Sequence, residues 1–302
     1  VSGTDEAAGA EPWSSLLAAR VVVVAGKGGV GKTTVTAVLA RGAADLGRRV
    51  LVVELDGKPT LAQLLPDLDV RTISAPDALD EYLREHGFAR VASRLASTGV
   101  IDVVGTAAPG IDDVVVLGKI KQLERSGEWD VIVVDGPAAG HAITFLTSAA
   151  GLADAARGGP VRSQATAVLE LLHDPARCQV VLVTLPETTP VNELVETAFA
   201  LEDTAGVQLG PVVVDQVDTG TPLPDAEDPA VLAALAALPA ADRAALEEAA
   251  RFRRERRAME REELARLTAT VPLPQVHLPA LPVAGLTADD VAELARSLGV
   301  PR

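Results

Sequence analysis

The chain reads as an α/β fold: a doubly wound, mainly parallel sheet with helices on both faces. Three observations predict it. First, Val21-Val22-Val23-Val24-Ala25, a helical stretch over 35–46 and Val50-Leu51-Val52-Val53-Glu54 make a βαβ unit, whose right-handed crossover forces parallel strands. Second, apolar runs recur at 131–134, 180–183 and 212–214, the mark of strands covered on both faces. Third, 302 residues, 48% of them hydrophobic, are enough to bury such a sheet and are near the upper limit for one core. Residues 1–14, small, acidic and polar, are expected to lead into the fold. Residues 15–302 are expected to form one large domain, with a compact helical subdomain drawn mainly from 60–127.

The first strand runs into Gly26-Lys27-Gly28-Gly29-Val30-Gly31-Lys32-Thr33-Thr34, which then opens the helix. This G-x-x-x-x-G-K-[ST] spacing defines a phosphate-binding loop, the P-loop of nucleoside-triphosphate hydrolases. Glycines let backbone N–H groups curl around phosphate oxygens, and the helix points its positive dipole end at the same anion. The expected ligands are ATP and Mg²⁺. Gly28, Gly29, Val30 and Gly31 would cradle phosphate, Lys32 would reach the β- and γ-phosphates, Thr33 would complete the Mg²⁺ shell and Thr34 would lie beside the α-phosphate.

Gly47 ends the helix, and the second strand runs out at Glu54-Leu55-Asp56-Gly57-Lys58-Pro59. Carboxylates at the carboxyl end of a parallel strand lie on its ligand-binding edge, so Asp56 and Glu54 are both candidates to orient a water, and either can instead cap the next turn. Residues 60–127 read as mostly helical, clearest over 77–96 and 111–125, with a short strand at Val100-Ile101-Asp102-Val103-Val104. Trp129-Asp130-Val131-Ile132-Val133-Val134-Asp135 is a buried strand ending in an acid, the Walker B arrangement, whose Asp135 would hold Mg²⁺ through water.

Gly158-Gly159-Pro160 precedes a helix over 161–173, a strand follows at 179–184, and Thr189-Pro190 supplies a cap and a proline for the next helix. A strand at 210–216 ends in Asp215-Gln216. The acidic, proline-containing stretch 218–228 reads as a surface loop. Residues 241–267, with dense alternating charge that includes Arg251, Arg253, Arg254, Arg256, Arg257 and Arg261 among glutamates, read as a long solvated helix laced by i, i+4 ion pairs. A last strand at 273–278 leads into Leu278-Pro279-Ala280-Leu281-Pro282, and a closing helix covers 288–298.

The second lysine of the loop, Lys27, gives the form G-K-G-G-x-G-K-T-T, which resembles the deviant-Walker P-loop ATPases. In that class, which includes MinD, ParA, the nitrogenase iron protein and the arsenite-pump ATPase, this lysine crosses a dimer interface to the partner's nucleotide. Asp135-Gly136-Pro137-Ala138-Ala139-Gly140-His141 is similar to the D-x-x-x-x-G-H switch II of the arsenite-pump and tail-anchor-targeting ATPases, with the proline displaced by one position. The resemblance covers the whole chain in the family's order. It implies that Lys27 and Lys32 neutralise charge in catalysis, that Asp56 takes the place of the switch I aspartate, and that Gly140 offers its N–H to the γ-phosphate, with His141 relaying the movement. It implies too that Asp215 stands where the family has an adenine-binding Asn, and that Pro279 and Leu281 belong to the loop lining the adenine. A carboxylate at 215 accepts from the N6 amine but does not donate to N7.

The implied function is an Mg²⁺-dependent ATPase acting as a dimeric switch. Its partner would be a second copy or an unlike paralogue, and its client an unidentified protein or lipid-like ligand. The single methionine, Met259, is too few for the Met-rich surface that binds varied apolar segments. Cys178 is the only cysteine, so neither the family's metalloid site nor its C-x-x-C zinc clasp is expected. A net charge of −15 argues against nucleic acid and against anionic membrane surfaces. No signal-peptide pattern and no apolar run of the ~20 residues that span a bilayer is present, so a cytoplasmic protein is expected. Two other readings share the loop. One is an ATP-binding scaffold subunit with little hydrolysis, favoured by the altered text around Asp56. The other is a ParA- or MinD-like positioning ATPase, which requires a basic DNA-facing surface or a C-terminal membrane helix.

Overall fold

The computed structural model describes residue 17 and residues 19–85 and 110–298. In chain order the elements are β1 (Val21–Gly26), α1 (Lys32–Asp45), β2 (Val50–Glu54), α2 (Thr60–Leu64), β3 (Asp69–Thr72) and α3 (Ala75–Glu85). There follow α4 (Ile111–Ser126), β4 (Val131–Ala138), α5 (Ala139–Ala155), α6 (Gly159–Leu172), β5 (Cys178–Thr184) and α7 (Thr188–Ala205). The chain closes with β6 (Val212–Val217), α8 (Pro229–Ala236), α9 (Ala240–Thr270), β7 (Gln275–Pro279) and α10 (Ala288–Ser297).

The seven strands form one sheet in the order β3-β2-β4-β1-β5-β6-β7, with every pairing parallel. Because strand side chains alternate between faces, each apolar run splits between two cores. Val21, Val23, Leu51, Val53, Ile132 and Val134 face the layer that includes α4, α5, α6 and α7. Val22, Val24, Val50, Val52, Val131 and Val133 face the layer that includes α1 and α10. Each fully buried Val or Leu contributes roughly 1.5–3 kcal/mol, so this two-sided burial is the main force holding β1 in the middle of the sheet. A capping box starts α10: Thr287 Oγ1 accepts from the Asp290 N–H, and the Asp290 carboxylate accepts from the Thr287 N–H at 2.8 Å.

Three sequence expectations change. Within 60–127, read as mostly helical, Asp69–Thr72 forms an unexpected edge strand beside β2. The helix expected to begin with Thr189 as cap begins at Thr188, with Glu187 at the cap position and no side-chain cap bond; the Thr188 hydroxyl instead donates to Glu263 at 2.8 Å. Nor is α9 solvated throughout. Glu260, Glu263 and Leu267 are buried, and besides the intrahelical pairs of Arg256 with Glu260 and Arg266 with Glu263 the arginines bond outside their own helix: Arg253 to Asp218, Arg256 to Glu187 and Arg266 to Asn192. Residues 1–14, the part of the 77–96 helix beyond residue 85 and the strand expected at 100–104 lie outside the described residues. Among the described residues no helix is long and apolar enough to cross a membrane.

Candidate functional site

The P-loop leaves β1 where two neighbouring backbones press close. A Cβ on Gly26 would lie 2.4 Å from the Val183 carbonyl oxygen, and one on Gly136 would lie 2.4 Å from that of Val24. Only glycine lets β5 and β4 flank β1 this tightly. Further on, Gly29 and Gly31 hold φ of 88° and 92°, the left-handed region that turns the loop back over the start of α1. Cβ atoms on Gly28 and Gly29 would meet nothing within 4 Å, so this part of the loop is open. The first N–H groups of α1 have no helical partners, which makes the site suited to phosphate.

Lys32 Nζ donates to the Lys27 carbonyl oxygen at 3.2 Å. Burial lowers its pKa below the usual lysine value, and the Asp135 and Asp56 carboxylates oppose that shift, which places both acids within its field. Thr33 donates its hydroxyl to Asp135 Oδ2 at 2.8 Å, and Thr36 donates to Oδ1 at 3.4 Å. Asp135 sits level with Val24 of β1 and Glu54 of β2. Burial raises its carboxyl pKa, against the pull of those hydroxyls and Lys32. The Thr33 hydroxyl and the Asp135 carboxylate are hard oxygen donors beside the phosphate cradle. That set fits Mg²⁺, which takes one or two protein oxygens and completes its shell with water and phosphate. Among the described residues no cluster of three or more His, Cys, Asp or Glu could form an all-protein metal cage.

The two acids after β2 have different environments. Glu54 is 3% exposed, and its two oxygens accept from the Lys58 N–H at 2.9 Å and from the Thr72 hydroxyl at 3.1 Å. It therefore fixes the turn that carries Asp56. Asp56 is exposed and pairs with Lys58 at 3.2 Å. On the next strand, β4 runs on to Ala138, opposite Gly26, and Gly140 and His141 fall in the first turn of α5. That turn has no side-chain cap, so its N–H groups are left to a ligand or to water. His141 and Asp56 border one cleft of about 450 Å³ with Asp112 and Asp113. Burial, with help from Asp112, raises the Asp113 pKa, and His141 opposes the shift.

On the other side of the loop, Thr34, Asp215, Gln216, Pro279 and Leu281 line a cavity of about 190 Å³. Asp215 is 4% exposed and lies against Gly31, whose Cβ would come 2.0 Å from its Oδ2. A shift in the β6–β7 register between Val214 and Val217 turns this residue inward. It also leaves Gln216 at φ 61°, the only non-glycine in the left-handed region among the described residues, with its N–H donating to Asp215 Oδ1 at 2.9 Å. Burial lifts the Asp215 carboxyl to about 6. Lys27, finally, reaches neither phosphate cradle nor cavity: its Nζ pairs with Glu193 of α7 at 2.5 Å.

The structure thus gathers Lys32, Thr33, Asp135 and Asp56 on one side of the loop, and Thr34, Asp215, Pro279 and Leu281 on the other. Sequence reading missed Thr36, Thr72, Gln216 and Glu193. Only Thr36, four residues past Lys32 and so on nearly the same helix face, left a signal in the text.

A parallel sheet with a P-loop after its central strand and an acid ending the neighbouring strand defines a P-loop nucleotide-binding protein. The comparisons narrow the class. The family model described as anion-transporting ATPase matches residues 19–155. ATPase BagA of Mycobacterium tuberculosis is 35% identical over 244 residues, covering 72% of this chain and 71% of that protein. Arsenical pump-driving ATPases of Escherichia coli and Acidiphilium multivorum are 30% identical over 188 residues, 60% of this chain but only 32% of theirs. The chain belongs to the ArsA family of P-loop ATPases.

Proposed function

We propose that the chain hydrolyses ATP with Mg²⁺ and works as a nucleotide-driven switch between two chains, the second being another copy or an unlike paralogue. The observation that carries this reading is the convergence of Lys32, Thr33, Asp135 and Asp56 at the carboxyl ends of β1, β4 and β2. Lys32 neutralises charge on the β- and γ-phosphates, and the N–H groups of 28–34 hold the phosphate chain. Thr33 and Asp135 hold Mg²⁺, which supplies charge neutralisation when bound. Asp56 orients the attacking water. It is the better placed of the two acids because both Glu54 oxygens are engaged in the turn. Gly140, at the free start of α5, follows the γ-phosphate and passes its loss to His141 and the acidic cleft. Asp215, Pro279 and Leu281 receive the base. Lys27 completes the active site of the other chain. The client is a protein segment or a lipid-like ligand taken up by the helical part of the chain.

The test is steady-state ATP turnover by the purified chain across a range of protein concentrations, with Lys27→Ala and Lys32→Ala alongside. Turnover per chain that rises with concentration, and disappears in both variants, supports the reading. Binding of ATP without turnover by the chain alone would overturn self-completing hydrolysis and favour the scaffold role.

A further inference from the structure

Lys27 is held within its own chain. Its ammonium meets Glu193 Oε1 at 2.5 Å, while its carbonyl oxygen accepts from Lys32. Both lysines of the loop are therefore tied down by intrachain bonds. The position of Glu193 is itself fixed from behind, because the first turns of α7 are fastened to α9. Thr188 donates to Glu263 at 2.8 Å, Arg266 donates to Asn192 at 2.7 Å, and Arg256 donates to Glu187 at 3.3 Å. These bonds fix the helix that presents Glu193 to the ammonium.

A lysine carries one compact charge on one flexible stem, so it cannot sit on Glu193 of its own chain and also reach the nucleotide of another. We propose that Glu193 is a positioning residue that holds Lys27 in cis in the separate chain and surrenders it when two chains close on ATP. This inference rests on the dimeric reading above. Glu193 then sets the threshold for closure: each dimer must break two such pairs. The two side chains are each 37% exposed, so solvent screens the pair and each one shifts an equilibrium by at most about fivefold. Two broken pairs multiply to at most about twenty-five-fold in the dimer constant.

Sedimentation equilibrium with a non-hydrolysable ATP analogue and Mg²⁺ tests it, using wild type, Glu193→Gln, Glu193→Asp and Lys27→Ala, with turnover measured over the same concentrations. The dissociation constant of the Glu193→Gln dimer is expected to fall by roughly 3- to 25-fold, and its half-maximal concentration for turnover with it. Added salt should tighten the wild-type dimer relative to Glu193→Gln, because salt screens the pair that only the wild type retains. Glu193→Asp, too short to hold the contact in place, should shift the same way as Glu193→Gln. A loss of structural support would weaken the dimer, so tightening separates the two explanations. An unchanged or weaker Glu193→Gln dimer, with Lys27→Ala inactive, overturns the hold on Lys27 and leaves the dimeric reading standing. A Lys27→Ala protein that dimerises and turns over like wild type overturns both.

Discussion

Asp215→Asn isolates the one carboxylate that the fold buries beside the P-loop with a raised pKa and no cationic partner among its causes. The Asp215 carboxyl titrates at about 6 against an ordinary 3.8, because burial penalises the charged form more than the bond from the Gln216 N–H relieves it. The folded state therefore binds this proton more tightly than the unfolded chain. Between pH 3.8 and about 6 the folded state carries more proton at this site, so stability falls as pH rises through that window. Above it the full cost is present. A shift of about two units at 1.36 kcal/mol each gives about 3 kcal/mol as the upper size of the penalty. Asn keeps an acceptor for the Gln216 N–H, has nearly the same shape and never ionises. Urea unfolding of the nucleotide-free protein should show Asp215→Asn more stable than wild type by about 2–3 kcal/mol at pH 8, with the difference largely gone at pH 4. The Asn amide also donates as well as accepts, so it can satisfy both the N6 and N7 edges of adenine, and ATP binding should tighten by about tenfold. A stability difference that does not change between pH 4 and pH 8 would refute the assignment of the buried charge to Asp215.

Asp135→Asn should abolish the Mg²⁺-dependent part of ATP binding and lower turnover by about a hundredfold or more, read by nucleotide titration with and without the metal. Glu54→Ala leaves the Lys58 N–H and the Thr72 hydroxyl without their acceptor, so it should cost about 1–3 kcal/mol in chemical denaturation. Cys178 is fully buried and its thiol is pushed up to about 12, so thiolate is about one part in ten thousand at pH 8. A thiol reagent should leave the native chain unmodified and label it once per chain after unfolding.

The parts of the fold that sequence made legible are those in which local chemistry demands one residue type. The P-loop glycines and the apolar run ending in Asp135 both write backbone geometry directly into the text. The edge strand Asp69–Thr72 was not legible. It is four residues long, polar, and paired on one side only, so it carries too little alternation to stand out from a helical interval. That omission also hid the choice between Glu54 and Asp56, because Thr72 of that strand is what engages Glu54. The arginines of α9 showed a periodicity that fits intrahelical pairs, and Arg256 with Glu260 and Arg266 with Glu263 form such pairs, but Arg253, Arg256 and Arg266 also bond to residues 35 to 74 positions away in sequence. Glu193 lies 166 residues from Lys27 on an ordinary amphipathic helix, and no pattern in the text connects them.

The order of the sheet has a consequence for how this protein can change over evolutionary time. β1 stands fourth of seven, with β3, β2 and β4 on one flank and β5, β6 and β7 on the other. In the proposed function the acids assigned to the terminal phosphate, Asp56 and Asp135, come from the first flank, and Asp215, Pro279 and Leu281, assigned to the base, come from the second. β1 and its loop lie between the two flanks. Substitutions near Asp215 can therefore retune which nucleotide is held, and how tightly, while the machinery that senses its cleavage is inherited intact. Lesions in such a chain should sort into two groups: those that alter occupancy, and those that leave occupancy normal but silence the message.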